Sequence, residues 1–291
     1  MIERIIVIVI IISAILLIWY LNRRNKWKKP SSEFPKEWRI TLAEKVIFYN
    51  NLNTEEKKRF EFKIQEFLLN CRITGIQTRI TDEDRVLTAA SAVIPIFEFP
   101  DWRYINLDEV LLYPKSFNAD FSMDEAAGVL GMVGTGSMEG KMILSKNSLH
   151  HGFRNESDKK NTAIHEFVHL IDKTDGATDG IPEVLMQKQY AIPWMDMIKK
   201  KIDQIYKGRS DINPYGATSP TEFFAVISEY FFERPQLLKS KHPDLYKMLE
   251  KMFRTDGISR FKIKKAKVTG RNSPCPCGSG KKFKYCCAKD I

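Results

Sequence analysis

Cysteine is scarce where an oxidised scaffold would need it. Of five cysteines, four (Cys275, Cys277, Cys286 and Cys287) fall within 13 residues, and Cys71 stands alone. A secreted disulfide framework spreads its cysteines through the fold, so that class is excluded. The adjacent pair at 286–287 and the near-adjacent pair at 275 and 277 suit a metal knuckle in a reducing compartment. Cys71, beside Phe67, Leu68 and Leu69, reads as a buried thiol. Acidic residues are missing from 257–289, where ten Lys/Arg fall, and five more Lys/Arg occupy 23–29. Between 30 and 256 there are 30 basic against 34 acidic residues. The net charge of +10 therefore belongs to the two ends, and the middle is not a basic nucleic-acid-binding domain. The glycine-rich stretch from Gly128 to Gly140 lacks the basic residue and hydroxyl of a phosphate loop, which argues against nucleotide binding and for a hairpin connection or flexible loop. Internal repeats are absent too.

What is present describes a globular chain with attachments. Apolar residues make up 43% and charged residues 28% of 291, enough for a sizeable core. Ile5 to Leu21 is an apolar run that as a helix spans about 25 Å, near the lower limit for crossing a bilayer. Glu3 and Arg4 cancel, and the run ends in bulky residues, so an uncleaved anchor is expected over a signal peptide. The following Arg23, Arg24, Lys26, Lys28 and Lys29 place the bulk of the chain in the cytoplasm, as a single-pass membrane protein. Three parts are expected: an anchor with its basic segment over 1–29, a main domain over 30–256, and a basic linker with the knuckle over 257–291.

Helical spacing runs from about Thr41 to Cys71, with a helix start at Asn53-Thr54-Glu55-Glu56. Thr81-Asp82-Glu83-Asp84 opens another helix toward Ile94. Strands are expected around 104–113 and 141–145. Later helices are expected over 160–173, 182–207 with a break at Pro193, 219–233 and 240–254.

The chemistry centres on Thr162-Ala-Ile-His165-Glu166-Phe-Val-His169-Leu-Ile-Asp172. A spacing of four on a helix stacks His165 and His169 on one face, where two imidazoles bind one Zn²⁺. Glu166, rotated about 100° from His165, can reach an attacking water without ligating the metal. Ile164, Phe167, Val168 and Ile171 would bury the same helix. Catalytic zinc takes three protein ligands. The third is sought on the apolar helix after Pro220, where Glu222 and Glu229 lie seven apart and share a face. One can ligate while the other holds a histidine in the right tautomer. His150 and His151 are rival ligands, although a loop before the zinc helix is the simpler home for them. His242, before Pro243, reads as a surface residue at a helix start. Asp172, Asp175 and Asp179 can bind the loop after the zinc helix or orient a ligand histidine.

These residues, His165-Glu-Phe-Val-His169-Leu-Ile-Asp172, Asp175-Gly, Asp179-Gly-Ile-Pro182, Tyr215-Gly-Ala-Thr, Glu222-Phe-Phe-Ala-Val and Ser-Glu229-Tyr-Phe-Phe, resemble the Mlc titration factor A family of zincin-like, glucose-regulated metallopeptidases over about residues 40–255. The resemblance implies an α+β fold, mostly helical with a small sheet. It further implies His165, His169 and Glu222 as zinc ligands, Glu166 as the base, and Tyr215 as the oxyanion partner. Glu229 and Asp172 would then support the ligands from behind, and a peptide or protein would be the substrate. An extended substrate could add to an edge strand near 141–145. A binding protein on the same scaffold, sequestering a regulator, is the alternative.

The spacing Cys275-x-Cys277-x8-Cys286-Cys287 can close a tetrahedral, structural Zn²⁺ site. It resembles the SEC-C motif. Together with Lys264, Lys265, Lys267, Lys281, Lys282 and Lys284, the resemblance implies a tail that grips a protein, ribosomal or RNA partner. Two zinc ions are thus expected, one catalytic and one structural.

Overall fold

A computed structural model of the chain describes residues 27–123, 128–154 and 158–262, with Lys282 and Tyr285. Four of its helices, including the two that carry the site, begin where short polar side chains serve orphan backbone N–H groups. After α1 (Lys36–Lys45) and a single turn at Ile47–Asn50, α2 (Thr54–Asn70) opens on a reciprocal cap. There Asn53 accepts the N–H of Glu56 at 2.9 Å, and Glu56 accepts that of Asn53 at 2.9 Å. β1 (Arg72–Gly75) follows, and α3 (Asp82–Ile96) repeats the device with Thr81 and Asp84. Both helix starts were legible.

β2 (Glu109–Tyr113), β3 (Gly131–Val133) and β4 (Lys141–Ser145) complete a sheet of order β1-β2-β4-β3. The first three of these neighbours run parallel, while β3 is antiparallel to β4 with Gly131 opposite Leu144. The glycine-rich stretch is therefore a hairpin. It also moves the open edge of the sheet. β4 is paired on both sides, so the edge available to an extended segment is β3 and not 141–145.

The second half is helical: α4 (Lys146–Arg154), α5 (Thr162–Asp172), α6 (Ala191–Tyr206), α7 (Pro220–Glu233), α8 (Pro235–Lys241) and α9 (Pro243–Met252). The helix expected over 182–207 starts only at Ala191, and the one expected over 240–254 divides at His242. Pro243 has no N–H to continue α8, and it starts α9 instead. α5 packs between α3 and α7 and touches β3. Ile164, Phe167, Val168 and Ile171 are buried on it, as are Phe223, Phe224, Phe231 and Phe232 on α7. Each fully buried aromatic is worth about 1.5–3 kcal/mol. That packing holds two helices in fixed register and so fixes the polar groups they share.

The apolar run at 5–21 lies outside the described residues, as do the four tail cysteines. Among the described residues no helix is long and apolar enough to cross a membrane. The longest, α2 and α6, have 17 and 16 residues and carry charges along their length. The expectation of a single-pass membrane protein with a transmembrane helix is therefore corrected: nothing among the described residues supports it.

Candidate metal centre

α5 begins because Asn161 accepts the N–H of Ile164 at 3.1 Å, and its end turns through Gly176 at φ 92°. α7 begins because Ser219 accepts the N–H of Glu222 at 3.1 Å and Pro220 supplies a preset φ. That cap puts Glu222 in the first turn of α7, facing α5.

There the ligand set converges. His165 Nε2 lies 3.0 Å from His169 Nε2 and 3.0 Å from Glu222 Oε2, and His169 Nε2 lies 3.5 Å from the same oxygen. One donor atom from each of the three falls within 4.8 Å of the others. Ligands about 2.0–2.1 Å from a tetrahedral zinc sit roughly 3.3 Å apart, so this triangle has the size such an ion requires. The donor chemistry agrees: two imidazole nitrogens face each other and a carboxylate, an arrangement that needs a shared positive charge between them. His169 Nδ1 is buried with no hydrogen-bond partner among the described residues. Its ring is thus held by packing and by whatever its Nε2 binds.

Charges respond accordingly. Burial works against protonated His165, yet Glu222 and Glu229 overcome it and push its pKa up to about 10. Burial would raise Glu222, but hydrogen bonds from His165 and His169 bring it down to about 2. Glu166, 5% exposed, is raised by burial against the pull of both histidines. Tyr215 is raised by burial and by the neighbouring Glu222 and Glu166 carboxylates. Its ring lies 6.1 Å from that of His165.

Glu229 stands behind the triangle. Its Oε1 is 2.8 Å from His165 Nδ1, and its Oε2 accepts the N–H of Asn161 at 2.6 Å. The first contact favours a proton on Nδ1 and aims Nε2 at the centre of the triangle, where it is free to bind a metal once its own proton is lost. Glu222 and Glu229, seven residues apart, thus meet opposite nitrogens of one ring. Asp172 does something different. Its Oδ2 accepts the N–H of Gly180 at 2.9 Å, closing the loop after α5, and burial pushes it up to about 6. Asp175 and Asp179 accept N–H groups of Ala177, Glu183 and Ile181 in the same loop.

Two histidine readings are corrected. His150 and His151 lie in α4, not in a loop, and bond Asp84 and Asp158, each at 2.7 Å, away from the triangle. His242 does start a helix, but it is buried, with Nε2 2.7 Å from Asp211. Asn161, Gly131 and Glu233 were missed. A Cβ on Gly131 would fall 2.5 Å from Glu166 Oε1, so this glycine lets β3 close over the base. Its signal was a glycine inside a short strand. Glu233 accepts the N–H of Lys160 at 2.8 Å, one turn beyond Glu229 on α7.

Two lobes of a cleft, about 390 and 370 Å³, meet at this centre. His165, Glu166 and Tyr215 border both, with Gly131 of the edge strand as a shared wall.

Residues 19–254 match the model of the glucose-regulated metallo-peptidase M90 family, and residues 271–289 match the SEC-C motif. The uncharacterized protein slr2042 of Synechocystis sp. is 30% identical over 268 residues, which cover 87% of this chain and 97% of that one. Mlc titration factor A of Pectobacterium atrosepticum is 27% identical over 256 residues, covering 81% and 94%. Its counterpart in Yersinia enterocolitica is 27% identical over 266 residues, covering 87% and 98%. A solved chain from Bacteroides caccae, described as a candidate zinc-binding metallo-peptidase, aligns with 72% of this chain and 92% of its own at 14% identity. Its TM-score of 0.33 is too low to carry weight. Since the family match runs unbroken through both histidines, Glu166, Tyr215 and Glu222, the chain belongs to the glucose-regulated metallo-peptidase M90 family.

Proposed function

We propose that the chain hydrolyses peptide bonds, with His165, His169 and Glu222 holding zinc and Glu166 as general base. The observation that carries this reading is one cleft containing three converging ligand atoms and a buried carboxylate beside them. Zinc held there would lower the pKa of a water toward about 7 and polarise a carbonyl. Glu166 takes a proton from the attacking water as its oxygen bonds to the carbonyl carbon. It then delivers that proton to the leaving amine as the C–N bond breaks. Burial keeps Glu166 basic enough for both steps. The Tyr215 hydroxyl donates to the developing oxyanion, an effect worth about 3 kcal/mol in comparable sites. Glu229 holds the His165 tautomer, and Asp172 holds the loop behind the metal helix. An extended substrate pairs with the edge of β3.

Glu166→Gln is expected to retain zinc by elemental analysis and to lose about 10²–10⁴-fold in kcat on a peptide panel. Equal turnover by the two proteins would refute the assignment.

A second reading draws on the name of the relatives. A titration factor acts on something it removes, which favours capture of a regulator on this scaffold. A pure binder has no use for Glu166, so the two readings part on turnover. Peptide cleavage abolished by a chelator, with partner capture surviving, would support both activities in one chain.

For the tail we propose that Cys275, Cys277, Cys286 and Cys287 hold a structural zinc and that the basic residues around them contact a protein, ribosomal or RNA partner. On this division residues 30–256 carry the hydrolytic domain and 257–291 the linker and knuckle. Elemental analysis is expected to find two zinc ions per chain, falling to one in Cys286→Ser/Cys287→Ser. An unchanged count would remove the second site.

A further inference from the structure

The larger lobe of the cleft is lined by one lysine, Lys160, whose exposed side chain has no ion-pair partner among the described residues. Lys160 lines it, together with Thr162, Asn213 and the reactive group Glu166. Its backbone N–H is bonded to Glu233 at 2.8 Å and to Asp158 at 3.1 Å, so the side chain leaves from a pinned point just before α5. The neighbouring lysines are engaged. Lys159 reaches the backbone oxygen and carboxylate of Asp211 and lies over the Tyr230 ring, and Lys173, in the other lobe, is held by Glu139 at 2.8 Å. Among the described residues Lys160 has no carboxylate partner.

The carboxylates of this lobe are turned away from Lys160. Glu229 spans His165 and Asn161, and Glu166 sits buried under Gly131. Asn213 accepts the Tyr215 N–H through its Oδ1, which leaves its amide NH₂ as a further donor beside Lys160. Thr162 adds a hydroxyl. A lobe with an ammonium, an amide and a hydroxyl, all uncommitted donors, is built for an anionic oxygen group.

We propose that Lys160 is a specificity determinant that selects substrates with a carboxylate lodged in this lobe, next to the bond being cut. The carboxylate is either an acidic side chain or the free C-terminus of a short peptide. This rests on the hydrolytic reading above and deepens it by naming the substrate class. Lys160 touches substrate and takes no part in the proton transfers.

The test uses the zinc-loaded full chain and fluorogenic peptides carrying Glu, Gln or Lys in turn at each residue within two of the cleaved bond. Every peptide is made with a free and with an amidated C-terminus. Turnover is measured as kcat/KM, and binding is measured separately by fluorescence anisotropy on zinc-loaded Glu166→Gln. The expected result is a preference of about fivefold for Glu over Gln at one position, in turnover and in binding, the scale of a solvent-accessible ion pair. Lys160→Glu is expected to invert the preference toward Lys, which a damaged fold cannot do. Preference for the free over the amidated end, inverted by the same substitution, would identify the terminal carboxylate as the source. Discrimination in binding without turnover would uphold the inference and count against hydrolysis. Equal handling of Glu, Gln and both end groups, in turnover and binding alike, would overturn it.

Discussion

On the proposed function, Glu229 occupies the position where a single side chain has most influence on metal affinity without touching the metal. It bonds His165 Nδ1 with one oxygen and the Asn161 N–H with the other, so it sets both the tautomer of a ligand and the start of the helix that carries it. Loss of such a partner typically costs 10- to 100-fold in affinity. Glu229→Ala is therefore expected to raise the zinc Kd by about that factor, measured by competition with a chromophoric chelator. Glu229→Gln, which keeps an acceptor, should recover part of the loss. At this scale the sequence was informative, because His165, Glu166 and His169 are spaced by the helix itself. The choice between Glu222 and Glu229 was not. Both share a face of α7, and only the docking of α7 on α5 decides which oxygen meets which nitrogen.

Between elements, the approach of β3 to α5 is what would bring a substrate strand and the proposed base together. Gly131 permits it, since a methyl there would meet Glu166 Oε1, its Cγ and Thr162. Gly131→Ala is expected to displace the Glu166 carboxylate and lower kcat about 10²-fold, the usual cost of misplacing a reacting group by an ångström. The melting temperature should change little, since β3 is a three-residue edge strand. A kcat within twofold of wild type would show that Glu166 tolerates the shift. β3 was hidden in the sequence because three residues, the first of them Gly131, have no usable periodicity. β1 was hidden for a similar reason, with four residues and one glycine. The helices of the metal site were plain, because each has a cap residue and a long apolar run. His150 and His151 misled because their helix, α4, is polar and follows a strand directly.

Across the whole molecule, the end of the described chain is pinned to its beginning. Arg260 bonds Glu56 at 2.6 and 2.8 Å and Glu98 at 3.0 Å, and Phe261 packs on Phe48 and Phe232. The hydrogen bond from Arg260 holds Glu56 down to about 2, against burial. A carboxylate depressed in the folded state stabilises it above the unfolded pKa, near 4.5, and that contribution is lost as pH falls toward 2. After discounting for partial exposure, the pair should contribute about 1–2 kcal/mol at neutral pH. Arg260→Ala is expected to lower the melting temperature by roughly 5 °C at pH 7, with the difference from wild type closing between pH 4.5 and 2. A difference independent of pH would assign the loss to packing alone.

The amino-acid sequence by itself singled out the candidate metal-binding residues. Two imidazoles and a carboxylate at helical spacing dictate their own relative placement, and the caps and prolines around them dictate where the helices begin. It also determined the family, through motifs in order along most of the chain. The tertiary structure alone decided which glutamate completes the triangle, which edge strand lies beside it, and which lysine of the larger lobe has no carboxylate at its side chain among the described residues. Those outcomes depend on distances between segments far apart in the chain, and local spacing carries no information about them until the apolar faces of α3, α5 and α7 have packed.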